Sequence, residues 1–533
     1  MVWLIATSVA FAFSLSLLIV PLVRSLARQV GLVDKPDGQR KLQQTPIALA
    51  GGLAVFVTLI IAFAATLTVD RLSDLNALGV VSTQWAWLFG AAALILAVGM
   101  VDDAIALRGR QKLLLQLLII TGLVIFGGTT VEHLSVFGFQ WELGGWGVPL
   151  TVFWLLLAVN ALNLIDGADG MATTAGCIIC AGLAILSFHQ GALLSGIASA
   201  TLSAALFGFL MFNRPPATIY LGDAGSMMIG LMVGVLAIWS NVKGSTALAS
   251  APVAILAIPL LDSAAAVVRR HLTGRSIYAT DRAHLHHLLQ QKYGLVGMLW
   301  VVAALCLTTT AMSIVSVVTG YHWLAGLGVF MAVGILVSTR SFGHSEVRLL
   351  LGRGRHFAHS FMSRGSADKV LISTHCLQGS GRWDKIWEPL MRFADLHGLL
   401  SLKIDLNLPW LHEGFHATWH SKRRSDKACR MSMKLPLFVH RGGEEPPLPI
   451  GRLEVMAAAS DPTVYRQVSE FTDKLEDLGP MIDAIVAELE GRDDAGRETA
   501  PAKGSTVRPV DVSAPAVLAR KEAASLRPGM GLQ

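Results

Sequence analysis

Eight aspartates, Asp34, Asp37, Asp102, Asp103, Asp166, Asp169, Asp223 and Asp281, lie in short polar segments between long apolar runs, and His284, His286 and His287 belong to the same set. Carboxylate oxygens beside lysine and arginine suit a Mg2+ ion held jointly with phosphate groups, because Mg2+ takes one or two protein oxygens and leaves its other positions to water and substrate. The chemistry to expect is therefore that of a phosphate or diphosphate. Asp102 and Asp103 leave the end of an apolar run, with Arg108, Arg110 and Lys112 following. Retention at a membrane face would explain those cations alone, but two adjacent like charges repel and need a counter-ion. Asn160, Asn163, Asp166 and Asp169 recur every three residues and end in two Asp-Gly steps. A tight turn explains the glycines but not the two amides, which share one helical face. In Tyr220 to Ser226, glycines flank Asp223 at a helix entry, where backbone N–H groups can meet an anion. Asp262 closes a Pro-x-x-Asp, and Asp281-Arg282 leads into the three histidines. Those histidines could hold zinc, but without cysteine partners and beside cations they read better as phosphate contacts.

The elements that must position these residues are membrane helices. Of 533 residues 53% are hydrophobic and 15% charged, against about a quarter charged in a soluble chain. Residues 1–338 hold 16 Lys and Arg with 13 Asp and Glu, while the last 195 hold 27 and 24. A cytosolic enzyme, a secreted disulfide scaffold and a disordered chain are excluded, and the evenly spread positive charge marks no nucleic-acid surface. Apolar runs near 2–23, 47–69, 85–101, 113–130, 148–162, 171–188, 192–212, 226–240, 247–268, 295–318 and 324–338 read as about eleven transmembrane helices. Alternate loops carry 14 Lys and Arg on one side and two, Arg71 and Lys243, on the other. That asymmetry places the chemistry-bearing loops in the cytoplasm and the N-terminus outside. Cys177 and Cys180 have a two-residue spacing but sit in an apolar helix without a second pair, so they read as packing.

In this order on one face, the doubled Asp, the Asn-x-x-Asn-x-x-Asp-Gly-x-Asp-Gly turn, the Gly-Asp-x-Gly-Ser turn, the Pro-x-x-Asp and the His-x-His-His loop resemble the polyprenyl-phosphate N-acetylhexosamine-1-phosphate transferases. The resemblance covers about residues 1–338. His-Leu-His-His is similar to the branch using UDP-N-acetylglucosamine; the UDP-MurNAc-pentapeptide branch usually has three consecutive histidines. Asp34-Lys35-Pro36 with Arg40-Lys41 also resembles the family's first loop, although Gln43 and Ala48 stand where His and Pro are usual. The resemblance implies Mg2+, with Mn2+ as a substitute, contacted by Asn163 and Asp223. It implies diphosphate contacts at Lys112 and Arg282, a substrate-loop role for Lys41, and a nucleotide pocket lined by Asp166 and Asp169. Asp102 and Asp103 would be the catalytic acids, and His284, His286 and His287 would shape the phosphate end. The implied reaction joins undecaprenyl phosphate to UDP-GlcNAc in a bacterial inner membrane, with release of UMP and the start of a cell-envelope polysaccharide. Another UDP-N-acetylhexosamine or UDP-MurNAc-pentapeptide is the alternative substrate, and a lipid-linked sugar transporter or a scaffold is the alternative class.

Beyond the spans, 339–366 reads as a basic juxtamembrane linker, 367–490 as a cytoplasmic α+β module and 491–533 as a disordered tail. Within the module, 383–397 and 464–489 have helical periodicity, while 399–406, 415–419, 431–439 and 451–457 have the pattern of strands. No catalytic constellation is visible there, so the module reads as regulatory or as the dock for a cytoplasmic protein. A homodimer is compatible with the membrane part.

Overall fold

The computed structural model describes residues 1–34, 46–73, 77–79, 81–136, 139–240, 247–273, 284–339, 341–343, 347, 371–378, 382–408, 411, 413–421, 430–440, 447–458 and 464–498. Among these, nine helices are long and apolar enough to cross a membrane. They are α1 (Val2–Val30), α2 (Gly51–Leu72), α3 (Thr83–Ile105), α4 (Gly109–Phe126), α5 (Gly147–Ile165), α6 (Met171–His189), α7 (Leu193–Asn213), α8 (Gly222–Trp239) and α11 (Leu285–Thr319). The chain is a mostly helical, multi-pass membrane protein.

Helix α8 is the axis of the bundle, buried along almost its whole length. From Ser226 to Trp239 it has no polar face, and a helix apolar all round is stable only when enclosed on every side. Helices α2, α3, α5, α6 and α7 pack around it. The expected run 247–268 is not one continuous helix. It is the short strand β5 (Ala247–Ala249), then α9 (Ser250–Ile255) and α10 (Ala257–Thr273). The proline ring at 259 clashes with the carbonyl four residues earlier, at Ile255, which kinks or breaks a helix, and here it breaks. The run expected from 295 follows a kink in α11 at Gly294, whose φ of 71° is non-helical. That kink separates a short histidine-bearing segment from the apolar span. Helix α12 (Trp323–Ser338) is 16 residues long.

Strands β1 (Val33–Asp34) and β2 (Ile47–Ala48) pair antiparallel, and Ala48 bridges to Ile219. This fastens the loop after α1 to the turn before α8. A second small sheet joins β3 (His133–Val136), β4 (Phe139–Glu142) and β5. Cys180 and Cys306 are buried and Cys177 is half-buried, all as free thiols.

Toward the C-terminus, β6 (Leu371–Gln378), β7 (Ser401–Leu408), β8 (Glu413–His420), β9 (Arg430–Val439) and β10 (Leu448–Ala458) form a five-stranded antiparallel sheet in the order β6-β8-β7-β10-β9. Helices Asp384–Leu396 and Val464–Glu498 cover one face, Trp387, Leu390, Ile482 and Val486 packing with Ile404, Phe415, Trp419 and Leu453. Four strands and both helices fall where the alternation and periodicity place them. The strand β6 has no such pattern, and the last helix continues to Glu498, past the expected end at 490, across Gly491 and Gly496 with Arg492, Ala495, Arg497 and Glu498 as good helix formers. The first residues of the tail expected over 491–533 are therefore helical to Glu498, and the rest of it lies outside the described residues, as does most of the expected linker.

Candidate functional site

The doubled aspartate ends α3, Lys112 lies in the first turn of α4, Asn163 in the last turn of α5, and Asp223 in the first turn of α8. Four helix ends meet here because α3 and α8 approach almost backbone to backbone. A Cβ at Gly99 would lie 2.2 Å from Ala224 Cα, so only glycine permits the contact.

Lys112 Nζ is the centre of the cluster. It donates to Asp102 Oδ2 at 2.8 Å, to Asn163 Oδ1 at 3.1 Å and to Asp223 Oδ2. Asn163 Nδ2 donates to Asp223 Oδ1 at 2.9 Å and to Ser226 Oγ at 3.0 Å, which turns the amide oxygen toward the ammonium. The second oxygen of Asp102, Oδ1, accepts from the backbone N–H of Leu107 at 2.7 Å and braces the α3–α4 turn. Asp103 has a different task. Its two oxygens accept from the backbone N–H groups of Asp223 at 3.0 Å and Ala224 at 3.3 Å. It therefore caps the positive N-terminus of α8 from a neighbouring helix, where negative charge is favoured. Gly222 leads into that terminus with φ +74°, and a Cβ there would meet Asp103 Oδ2 at 2.6 Å.

Asp166 follows α5, and Asp169 Oδ2 accepts from Ala217 N at 3.0 Å, which ties the Asp-Gly turn to the segment before α8. Enclosure by the protein pushes the Asp166 carboxyl well above the ordinary carboxylate range, and the charges of Asp223, Asp103 and Asp169 push the same way. Burial, with Asp169 and Asp34 nearby, lifts the Tyr220 phenol to about 12. Asp34 therefore reaches this end of the bundle too.

The histidines are an adjoining group. Asp262 is fully buried; its Oδ1 accepts from Leu285 N at 2.8 Å and its Oδ2 lies 3.3 Å from His284 Nδ1. His286 is buried against Gly167, within the Asp166–Asp169 turn, and its Nδ1 has no hydrogen-bond partner among the described residues. The rings of His284 and His286 are parallel with centroids 6.0 Å apart, and His287 lies 4.0 Å from His286 with its ring plane tilted by 46°. Lys41 and Arg282 lie outside the described residues, as do Asp37 and Asp281.

One residue of this network belonged to no recognised motif. Gln116, fully buried one turn after Lys112, accepts from Asn160 Nδ2 at 2.9 Å and contacts Met227 Sδ. Ser226 anchors Asn163. A glutamine inside an apolar helix is a detectable signal, since a buried amide needs partners.

The central cluster brings two carboxylates, an amide and an ammonium together at one end of a membrane-spanning bundle; the class this defines is a multi-pass membrane protein with a charged cluster where four helix ends meet. The profile of Glycosyl transferase family 4 matches residues 85–241. A Bacillus subtilis (strain 168) protein named "Probable undecaprenyl-phosphate N-acetylglucosaminyl 1-phosphate transferase" is 32% identical over 287 residues, 53% of this chain and 76% of the relative. The Escherichia coli (strain K12) undecaprenyl-phosphate alpha-N-acetylglucosaminyl 1-phosphate transferase is 29% identical over 298 residues, 54% of this chain and 77% of that one. The decaprenyl-phosphate N-acetylglucosaminephosphotransferase of Mycobacterium tuberculosis (strain H37Rv) is 33% identical, covering 50% and 71%. The chain belongs to glycosyl transferase family 4.

Proposed function

We propose that this protein transfers N-acetylglucosamine 1-phosphate from UDP-GlcNAc to undecaprenyl phosphate. An oxygen of the lipid phosphate bonds to the β-phosphorus, and the bond from that phosphorus to the bridging oxygen breaks. UMP leaves with the electron pair, and the lipid-linked diphosphate sugar begins a cell-envelope polysaccharide. The observation that carries this reading is the meeting of Asp102, Lys112, Asn163 and Asp223 at one end of the bundle, in a chain whose relatives are named for this chemistry.

The donor set fits Mg2+. The ammonium of Lys112 already sits among oxygens of a carboxylate, an amide and a second carboxylate, and an all-oxygen environment favours a hard ion. Asn163 and Asp223 would hold it; once bound, it would neutralise charge on the diphosphate. Lys112 contacts the diphosphate, while Asp166 and Asp169 line the nucleotide side; Arg282 as a further diphosphate contact and Lys41 as a substrate contact are the roles that the family resemblance implies. Asp102 holds Lys112 and the α3–α4 turn. Asp103 positions Asp223 by capping α8. Neither is needed as a base, because a phosphate monoester with a second pKa of about 6 is mostly dianionic at neutral pH. Positioning and charge neutralisation are the larger tasks in phosphoryl transfer. His284, held by Asp262, and His286 and His287 shape the phosphate end.

In this reading α10 and α12 also cross, making eleven spans in a bacterial inner membrane with the N-terminus outside. The loop charges support that orientation. Residues 1–338 form the transferase domain, 339–366 a linker, and 367–490 a cytoplasmic accessory module that docks a protein partner; the transferase domain pairs as a homodimer. The test is UMP release by the purified protein with undecaprenyl phosphate, Mg2+ and a panel of UDP-sugars. Release with UDP-GlcNAc, lost on the order of a thousandfold in Asp223→Ala, is expected. No release with any sugar would sink the enzyme reading, and undiminished activity in Asp223→Ala would sink the cation assignment.

A further inference from the structure

Two oxygens proposed above for the divalent cation, on Asn163 and Asp223, already hold another cation. Lys112 Nζ contacts Asp102 Oδ2, Asn163 Oδ1 and Asp223 Oδ2. The amide cannot simply turn away, because its Nδ2 is committed to Asp223 Oδ1 and Ser226 Oγ. We propose that Lys112 has two positions: it is the internal counter-ion of the cation site until the divalent ion displaces it, and it then moves to the substrate diphosphate, so that ion and nucleotide bind cooperatively. The inference rests on the reading above that Asn163 and Asp223 hold the ion.

Exclusion makes the exchange obligatory. A Mg2+ ion lies about 2.1 Å from its oxygens, and an ammonium left among the same oxygens would face an uncompensated like charge at close range. Lysine is suited to the exchange because its charge rides on a flexible stem with three donors in no fixed plane. The side chain is 14% exposed, which leaves a way out. Before the ion arrives, the ammonium offsets repulsion between Asp102 and Asp223. The ion must therefore displace Lys112, and a bound diphosphate recovers that cost by giving the ammonium a new partner. By linkage, each ligand then strengthens the other by the same factor.

The full-length protein in lipid nanodiscs tests this, with Mn2+ as the probe and UDP as the nucleotide. Without nucleotide, Lys112→Gln should bind Mn2+ about tenfold more tightly than wild type, within the usual range of coupling factors. Its enhancement by UDP should shrink by the same factor. Arg108→Gln, which removes an equal charge from an exposed position at the start of α4, should leave both quantities near wild type. In the unmodified protein, Mn2+ alone should speed acylation of Lys112 by acetic anhydride, read by mass spectrometry, and added UDP should slow it again. Equal Mn2+ affinity in Lys112→Gln and Arg108→Gln would overturn the proposal, as would labelling of Lys112 that ignores bound Mn2+. A wild-type protein that binds no more Mn2+ than Asp223→Ala would instead remove the cation assignment itself.

Discussion

Asp103→Asn should act on the cation and not on the chemistry. In the wild type both carboxylate oxygens accept backbone N–H groups, from Asp223 at 3.0 Å and Ala224 at 3.3 Å. A hydrogen bond to a charged group contributes about 1.5–3 kcal/mol. Asparagine keeps one acceptor and turns its NH2 toward the other N–H, so it loses one such bond and the negative charge at the helix terminus. With partial relaxation, the expected cost to the placement of Asp223 is about 2 kcal/mol, or roughly thirtyfold in cation affinity. The assay is UMP release against Mg2+ concentration. The half-saturating Mg2+ should rise by about that factor while kcat at saturating Mg2+ recovers most of its wild-type value. Gly222→Ala, whose Cβ would sit 2.6 Å from Asp103 Oδ2, should give the same signature from the other side of the contact. A normal Mg2+ requirement with kcat lost at every Mg2+ concentration would refute the reasoning and make Asp103 a reacting group.

The remaining expectations concern charge and packing. Because the folded-state pKa of Asp166 is raised, the folded protein holds a proton that the unfolded chain releases near pH 4. Its contribution to stability is complete below that pH and is lost as pH rises through the elevated value. Thermal unfolding without divalent ions should therefore shift upward as pH falls from neutrality toward 5, and Asp166→Asn should flatten that slope and raise the neutral-pH midpoint. Gly99→Ala forces a Cβ to 2.2 Å from Ala224 Cα and should cost about 1–3 kcal/mol, seen as a lower midpoint together with weaker cation binding. A stable Gly99→Ala with unchanged cation affinity would show that α3 and α8 need not touch there.

What the sequence determined by itself was the inventory of chemical groups and the apolar runs between them. Apolar runs mark most of the long helices, and the spacing of Asn160, Asn163, Asp166 and Asp169 singles out one turn, since both signals are local. The break at Ile255 was written in Pro259 but hidden under a continuous apolar run, and β6, without alternation of its own, is a strand through its pairing with β8. The tertiary structure decided how the charges are shared. Asp102 and Asp103 are neighbours of identical type, yet one faces Lys112 on α4 and the other faces the N-terminus of α8. That division depends on a helix crossing 120 residues away in the chain, at a glycine whose importance is visible only when Ala224 lies against it. Ion pairs and helix caps act over a few ångströms, so their partners follow from packing and not from position along the chain.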